Sequence, residues 1–185
     1  TLEEPTVAAP LGQTQAKRFQ RGLLIHRLLQ SLPELPISSR RKASEAYLSR
    51  PAWSLAADDV KSVTNETLAV IEHKDFAALF GPGSKAEVPV TGLIDGHVLS
   101  GQVDRLVVTE HEVMIVDYKT NRPPPRKAES VDSAYQFQMA AYRVALSEIY
   151  PNKAIRCILL WTDGPFITEL PESMLDDAWG HKANH

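Results

Sequence analysis

The chain has 185 residues, of which 43% are hydrophobic and 23% are charged, and its formal net charge is −3. This composition is typical of one globular domain and excludes a disordered chain, and no apolar run is long enough to cross a membrane. A single cysteine, Cys157, excludes a disulfide framework or a four-cysteine iron–sulfur or zinc site within the chain and is consistent with a reducing compartment.

The first half of the sequence predicts a helical lobe. Residues 1–15 are rich in Pro, Ala and Thr, which is typical of a linker. A helix is expected over residues 16–32, with Phe19, Leu23, His26 and Gln30 along one stripe and Pro33 ending it. Two more helices are predicted over residues 40–49 and 57–80, before the stop signal Gly81-Pro82-Gly83.

The second half is rich in β-branched residues. Three strands, separated by short polar turns, are expected to form an antiparallel meander over residues 87–94, 97–109 and 112–120. A capping box at Ser133 opens a helix to about Tyr150. A strand, an edge strand and a short helix follow over residues 154–162, 166–170 and 171–179. The order indicates an α/β (α+β) domain over residues 16–180 and a tail over residues 181–185.

Two acidic residues at strand ends are the strongest candidates for chemistry. Asp117 ends the apolar run of residues 113–116, and Asp104 closes the strand-like segment of residues 100–104. Lys119 is two residues after Asp117, so both side chains lie on one face of the strand. Two carboxylates and a lysine in this pattern indicate metal-assisted phosphodiester hydrolysis. The alternative is that Asp104 forms a surface ion pair with Arg105 or Lys119.

Other residues have a structural as well as a functional interpretation. His26 could pack in a core, or it could complete a mixed nitrogen and oxygen site for Mg²⁺ or Mn²⁺, with Gly22 leaving room for a close approach. Gln138 and Tyr142 share one helix face and could either support the strand ends or serve packing and solvation. Glu87 could act as a supporting acid behind the ligands.

A basic stretch follows the candidate ligands. Lys119, Arg122, Arg126 and Lys127 occur with no acidic residue between them. Such a stretch is often merely solvated, but beside an acidic metal site it favours contacts with phosphate groups. Since the net charge is negative, we expect the isolated domain to bind DNA weakly and with a steep dependence on salt.

Four motifs in order resemble the RecB-like branch of the PD-(D/E)XK nuclease superfamily. They are Gly22-x-x-x-His26, Gly101-Gln-Val-Asp104-Arg105, Ile115-Val-Asp117-Tyr118-Lys119-Thr120 and Gln138-x-x-x-Tyr142. The resemblance implies a restriction-endonuclease-like core with a mixed sheet. The segments at residues 88–92 and 117–121 are further similar to the C-terminal nuclease domains of the AddA family of bacterial helicase–nuclease proteins.

This resemblance implies a set of roles. His26, Asp104, Asp117 and the main-chain carbonyl of Tyr118 would bind Mg²⁺ or Mn²⁺, Lys119 would be catalytic, and Gln138 and Tyr142 would support the site. No iron–sulfur cluster is expected. The expected partners are a single DNA strand delivered by a helicase, the helicase part of the same polypeptide, and an AddB-like protein, all in the bacterial cytoplasm.

Two other functions are open from the sequence. The domain could be a nuclease-fold module that binds DNA or acts as a scaffold without cleavage, although the intact set of Asp104, Asp117 and Lys119 argues against this. It could also be a metal-dependent enzyme that acts on a substrate other than nucleic acid. A test for metal-dependent DNA cleavage separates these hypotheses.

Overall fold

A computed structural model of the protein describes residues 13–94 and 96–180. Its first half is helical, and single turns of 3₁₀ helix follow the first two helices. The long helices are α1 (Gln13–Ser31), α2 (Ile37–Leu48) and α3 (Ala57–Ile71). They form the predicted helical lobe, although α1 begins three residues before the predicted start at Ala16.

The second half forms one mixed sheet with two helices. Its elements are β1 (Ser84–Ile94), β2 (His97–Val108), β3 (Glu112–Lys119), α4 (Ser133–Ile149), β4 (Ala154–Trp161), β5 (Phe166–Glu169) and α5 (Glu172–Gly180). The strand order is β1-β2-β3-β4-β5. Among the described strands the β3–β4 pair alone is parallel, because α4 carries the chain back across the sheet. The predicted meander and α/β fold class are confirmed.

The sheet has a hydrophobic core on each face. Val113 and Ile115 of β3 belong to the core that includes α4 and α5, whereas Met114 and Val116 belong to the core that includes α1 and α3. The alternation follows from the two-residue period of a strand. Strands β3 and β4 are therefore covered on both faces, which explains their nearly continuous apolar sequences.

The predicted helix over residues 57–80 is confirmed as far as Ile71, but its continuation to residue 80 is wrong because the chain breaks there. His73 has an extended backbone, and its ring accepts a hydrogen bond from the Asp75 amide at 3.3 Å, which starts a separate 3₁₀ helix, Lys74–Phe80. Phe76 stacks on the His73 ring with 4.2 Å between centroids. Because Phe76 and Leu79 are buried like the residues of α3, the apolar pattern gave no sign of the break.

The predicted capping box of α4 is also wrong. Asp132 caps the helix, and its carboxylate accepts a hydrogen bond from the Ala134 amide at 2.8 Å. Gln136 instead donates its side-chain amide to the Val131 carbonyl at 2.8 Å. An aspartate in this position serves as well as a serine, so the helix still begins where the sequence predicts.

Three predicted segments lie wholly or partly outside the described residues. They are residues 1–12 of the predicted linker, Asp95 of the predicted turn and the whole predicted tail, residues 181–185. Within the described part of the chain, the structure contains no helix with the length and apolar character needed to cross a membrane.

Arg105 ties the hairpin of β1 and β2 to the rest of the fold. It is 1% exposed, and its guanidinium donates to the Tyr118 hydroxyl at 2.9 Å, the Ser84 hydroxyl at 2.7 Å and the Leu29 carbonyl at 3.3 Å. It also lies over the Phe80 ring, 4.8 Å from the centroid. These contacts join α1, β1 and β3 through one planar group with several donors.

We predict that Arg105→Lys destabilises the protein by about 3 kcal/mol, because an ammonium cannot reproduce three divergent hydrogen bonds and leaves buried acceptors without a donor. Urea unfolding measures this as a lower midpoint at an unchanged slope. The control is Arg41→Lys, whose side chain is 55% exposed and should change stability by less than about 0.5 kcal/mol. Equal midpoints for the two variants would contradict this role of Arg105.

Candidate active site

A cleft opens where β2 and β3 stop pairing. Their ladder ends at Arg105 and Val116, whereas β3 stays paired with β4 as far as Lys119. The cleft has a volume of about 380 Å³ and is open to solvent. It is lined by residues of α1, β1, β2, β3 and α4, namely Leu23, His26, Arg27, Gln30, Glu87, Gln102, Asp104, Asp117, Gln138 and Tyr142.

Three carboxylates lie in a row across the strands that border the cleft. The pairs on either side of Glu87 place it opposite Asp104, and continuing the β2–β3 register by one residue places Asp104 opposite Asp117. Glu87 has a left-handed backbone, with φ of 52°, which is unusual for a residue other than glycine. Burial, and then the charge of Asp104, raises the pKa of Glu87, while His26 opposes the shift.

His26 faces this row from the helical layer. Its Nδ1 atom lies 3.5 Å from Asp104 Oδ1, and its ring meets Tyr118 edge to face with 5.7 Å between centroids. Asp104 Oδ2 accepts a hydrogen bond from the Tyr118 amide at 2.7 Å, which replaces the lost ladder bond. His26 therefore lines the cleft, and the alternative that it packs in a core is wrong.

Asp117 and Lys119 form a buried ion pair at the end of β3. They are 5% and 8% exposed, and Lys119 Nζ lies 2.6 Å from Asp117 Oδ2. Burial raises the pKa of Asp117, and Lys119 only partly offsets this shift. Burial alone would lower the pKa of Lys119, but the charge and the hydrogen bond of Asp117, together with Tyr135 and Asp104, outweigh it and the pKa of Lys119 is raised.

Two residues of α4 hold Lys119 from the other side. Gln138 Oε1 accepts from Nζ at 3.5 Å, and Nζ lies 3.7 Å from the centre of the Tyr135 ring. A place for Gln138 beside the strand ends was implied by the family resemblance, whereas no motif included Tyr135. Tyr135 comes three residues before Gln138 on the same helix, so helical spacing could have identified it.

Tyr142 fixes the strand that carries Asp104. It is 2% exposed, and its hydroxyl donates to the Gln102 carbonyl at 3.0 Å and accepts from the Gln102 amide at 3.2 Å. A Cβ atom on Gly101 would come within 2.6 Å of the Tyr142 hydroxyl oxygen. The Tyr142 side chain therefore occupies the space that a side chain at position 101 would need. Because Gly101 and Asp104 belong to the same strand, this packing helps to position Asp104.

Of the predicted stripe of α1, Leu23, His26 and Gln30 line the cleft. The core face of α1 instead consists of Leu24, Ile25, Leu28 and Leu29, each no more than 2% exposed. A Cβ atom on Gly22 would lie 2.9 Å from Thr120 Oγ1. The missing side chain at Gly22 thus lets α1 approach the end of β3 and bring His26 to Asp104.

Beyond Lys119, the predicted basic stretch does not line the cleft. Arg122 pairs with Glu66 and lies 3.8 Å from Asp163, Arg126 lies over the Phe166 ring at 4.7 Å, and Lys127 is exposed. Glu66, which belongs to no sequence motif, has a side chain that is 6% exposed. It also pairs with Arg21 of α1 and accepts from the Thr162 hydroxyl at 2.6 Å.

The side chains fit a divalent cation without forming a closed site. Among the described residues, no three His, Cys, Asp or Glu side chains are already arranged to hold a metal ion. Asp117 Oδ2 is buried and, apart from its ion pair with Lys119, has no hydrogen bond in the described part of the chain. Two carboxylates and an imidazole suit Mg²⁺ or Mn²⁺, and without an ion the carboxylates repel each other.

The sequence matches a known protein family and a curated relative. The profile of the PD-(D/E)XK nuclease superfamily matches residues 5–178. An ATP-dependent helicase/nuclease protein of Listeria innocua is 26% identical over 183 residues, an alignment that covers 86% of this chain. The chain spans about 15% of the length of that curated relative.

Two solved structures align with most of the chain. SSO0001 is 14% identical, with a TM-score of 0.37, and the alignment covers 91% of this chain and 85% of that one. Protein VC1899 from Vibrio cholerae is 13% identical, with a TM-score of 0.36, and the alignment covers 90% of this chain and 55% of that one.

We predict that Gly22→Ala destabilises the wild-type chain but not a Thr120→Ala background. Alanine improves helix propensity by about 1 kcal/mol, but it meets Thr120 Oγ1. Removing that oxygen leaves only a contact of 3.9 Å, so the same substitution should then stabilise the protein. Urea unfolding of the four proteins gives the coupling, expected at about 1–2 kcal/mol.

Gly180→Ala serves as the control, because in the described part of the chain no atom outside its own helix backbone and its chain neighbours lies within 4 Å of the added Cβ. It should change the free energy of unfolding by the same amount in the wild-type and Thr120→Ala backgrounds. If the effects of Gly22→Ala and Thr120→Ala on the free energy of unfolding simply add, the position of α1 does not depend on this close approach.

Proposed function

Because the chain belongs to the PD-(D/E)XK nuclease superfamily, we propose that it is a divalent-metal-dependent deoxyribonuclease domain that hydrolyses phosphodiester bonds. The observation that carries this proposal is the buried pair of Asp117 and Lys119 beside Asp104 and His26, in a cleft that is open to solvent. Burial of a carboxylate and an ammonium is unfavourable unless they pair, and their place at a solvent-accessible cleft indicates a use in chemistry.

The proposed ligands of Mg²⁺ or Mn²⁺ are His26, Asp104, Asp117 and the carbonyl oxygen of Tyr118. A bound cation supplies Lewis-acid stabilisation of the phosphate and lowers the pKa of a bound water. Tyr142, through Gln102, keeps Asp104 in position, and the amide of Tyr118 orients the Asp104 carboxylate.

Lys119 is the proposed catalytic cation. In the structure its ammonium offsets the charge of Asp117, while Gln138 and Tyr135 limit its position from the side of α4. A lysine held in this way can donate a hydrogen bond to a phosphate oxygen and stabilise the negative charge that develops there during hydrolysis. Its burial strengthens that interaction, because the surroundings screen charge less than water does.

The larger setting is also part of the proposal. Similarity to a helicase/nuclease protein suggests that the domain is an exonuclease within a longer polypeptide whose helicase part delivers a single DNA strand. An AddB-like protein would be its partner, and double-strand-break processing for recombinational repair in the bacterial cytoplasm its role. Arg122, Arg126 and Lys127 are proposed to contact phosphates beyond the cleft, although Arg122 would have to share its charge with Glu66.

Two substitutions separate cleavage from ion binding. We predict that Asp117→Asn removes both, because the amide lacks the charge of a hard ligand. Lys119→Met should lower the cleavage rate by about a hundredfold or more. It should nevertheless keep or raise the affinity for Mn²⁺, because the ammonium no longer competes for Asp117 Oδ2. The measurements are calorimetry with Mn²⁺ and cleavage of end-labelled single-stranded DNA.

Lys61→Met is the matched control, since Lys61 is exposed on α3 and lies outside the cleft. It should leave both measurements unchanged. Metal-dependent cleavage that survives Asp117→Asn would refute the proposed site. DNA binding by the wild-type chain without any cleavage would favour the alternative of a binding or scaffolding module.

A further inference from the structure

The stripe of α1 that faces the cleft continues beyond it to an exposed aromatic residue. Leu23, His26 and Gln30 line the cleft, and helical spacing places Phe19 in line with them, one turn before Leu23. Phe19 is 62% exposed and Leu23 is 39% exposed. Since the core of α1 lies on another face of the helix, packing within the described residues leaves most of the Phe19 ring in water.

Helix α1 is locally positive although the whole chain is not. Its sequence contains Lys17, Arg18, Arg21 and Arg27 and no acidic residue, whereas the chain has a net charge of −3. Arg21 is paired with Glu66, but Lys17 and Arg18 are exposed. Lys17 and Arg18 directly precede Phe19, whereas the Arg27 guanidinium lies further along the helix, over the Trp53 ring at 5.6 Å. An exposed aromatic ring beside exposed cationic side chains is suited to a ligand with both a flat apolar face and negative charge.

The distance between Phe19 and His26 along α1 fits a single nucleic-acid strand that contacts both residues. Phe19 precedes His26 by seven residues, which is about 10 Å along the helix axis. At the rise of about 3.4 Å for stacked bases, this corresponds to about three nucleotides. A strand whose phosphate lies beside His26 could therefore bring an unpaired base over the Phe19 ring.

We propose that Phe19 is a base-stacking residue for the single strand that enters the cleft, and that Arg18 contacts the backbone of the same strand. This inference rests on the proposed function and extends it with a binding subsite on α1. Stacking on a ring needs an unpaired base but not a particular one, so the subsite favours single-stranded over double-stranded DNA without reading sequence.

The direct test is equilibrium binding of an end-labelled oligothymidylate, measured by fluorescence anisotropy at low salt with Ca²⁺ in place of Mg²⁺. Phe19→Ala should weaken binding about tenfold, and Phe19→Trp should restore it, because stacking needs only an aromatic face. Ile149→Ala is the matched control, since Ile149 is an apolar residue 57% exposed at the end of α4, and it should have no effect.

Oligonucleotides with a single abasic site locate the stacked base. One abasic position should weaken binding to the wild-type chain about tenfold yet have little further effect on Phe19→Ala, because both changes remove the same contact. Equal losses in both proteins at every position would overturn the proposal. So would unchanged binding by Phe19→Ala, or a Phe19→Ala variant that loses only self-association in sedimentation experiments.

A cleavage assay with Mg²⁺ keeps this inference separate from the proposed function. If both are correct, Phe19→Ala raises KM for single-stranded DNA and leaves kcat nearly unchanged, because the ring acts far from the reacting phosphate. A wild-type chain that binds through Phe19 but does not cleave would refute the nuclease activity alone. A chain that cleaves with the same KM with and without Phe19 would refute the stacking subsite alone.

Discussion

The buried pair of Asp117 and Lys119 is the constraint on which the rest of the site depends. Each side chain is less than a tenth exposed, and either charge alone at this depth would be strongly unfavourable. The neighbouring elements therefore have to supply polar contacts at the end of β3, and α4 does so with Gln138 and Tyr135. The Lys119 ammonium therefore occupies the position beside the Asp117 carboxylate where a divalent cation would also bind.

Two glycines allow the close contacts that position the remaining groups of the site. Gly22 lets α1 lie against Thr120, and Gly101 lets Tyr142 lie against β2. Glu66 then joins α1 to the loop after β3 and to the end of β4, since it binds Arg21, Arg122 and Thr162. The glycines of the sequence motifs are thus explained by packing, and the helical lobe is part of the site because it carries His26.

Local sequence patterns predicted the strands, the helix after them and the pairing of Asp104 with Asp117, whereas the place of His26 beside them was implied by the family resemblance. They could not reveal contacts between distant residues, such as the bond between Glu66 and Thr162, which are 96 positions apart. The orientation of α1 was also beyond local patterns, because leucines occur on both its cleft face and its core face. Glu87 was noticed only as a supporting acid, since its place opposite Asp104 follows from strand register.

The most direct test of this account is a crystal structure of the chain soaked with Mn²⁺, with anomalous scattering used to locate the ion. The account predicts one peak within roughly 2.0–2.6 Å of oxygen atoms of Asp104 and Asp117 and of a nitrogen of His26, with Lys119 moved away from Asp117 Oδ2. A peak elsewhere, or Lys119 still paired with Asp117 and no ion at a Mn²⁺ concentration that supports cleavage, would contradict it.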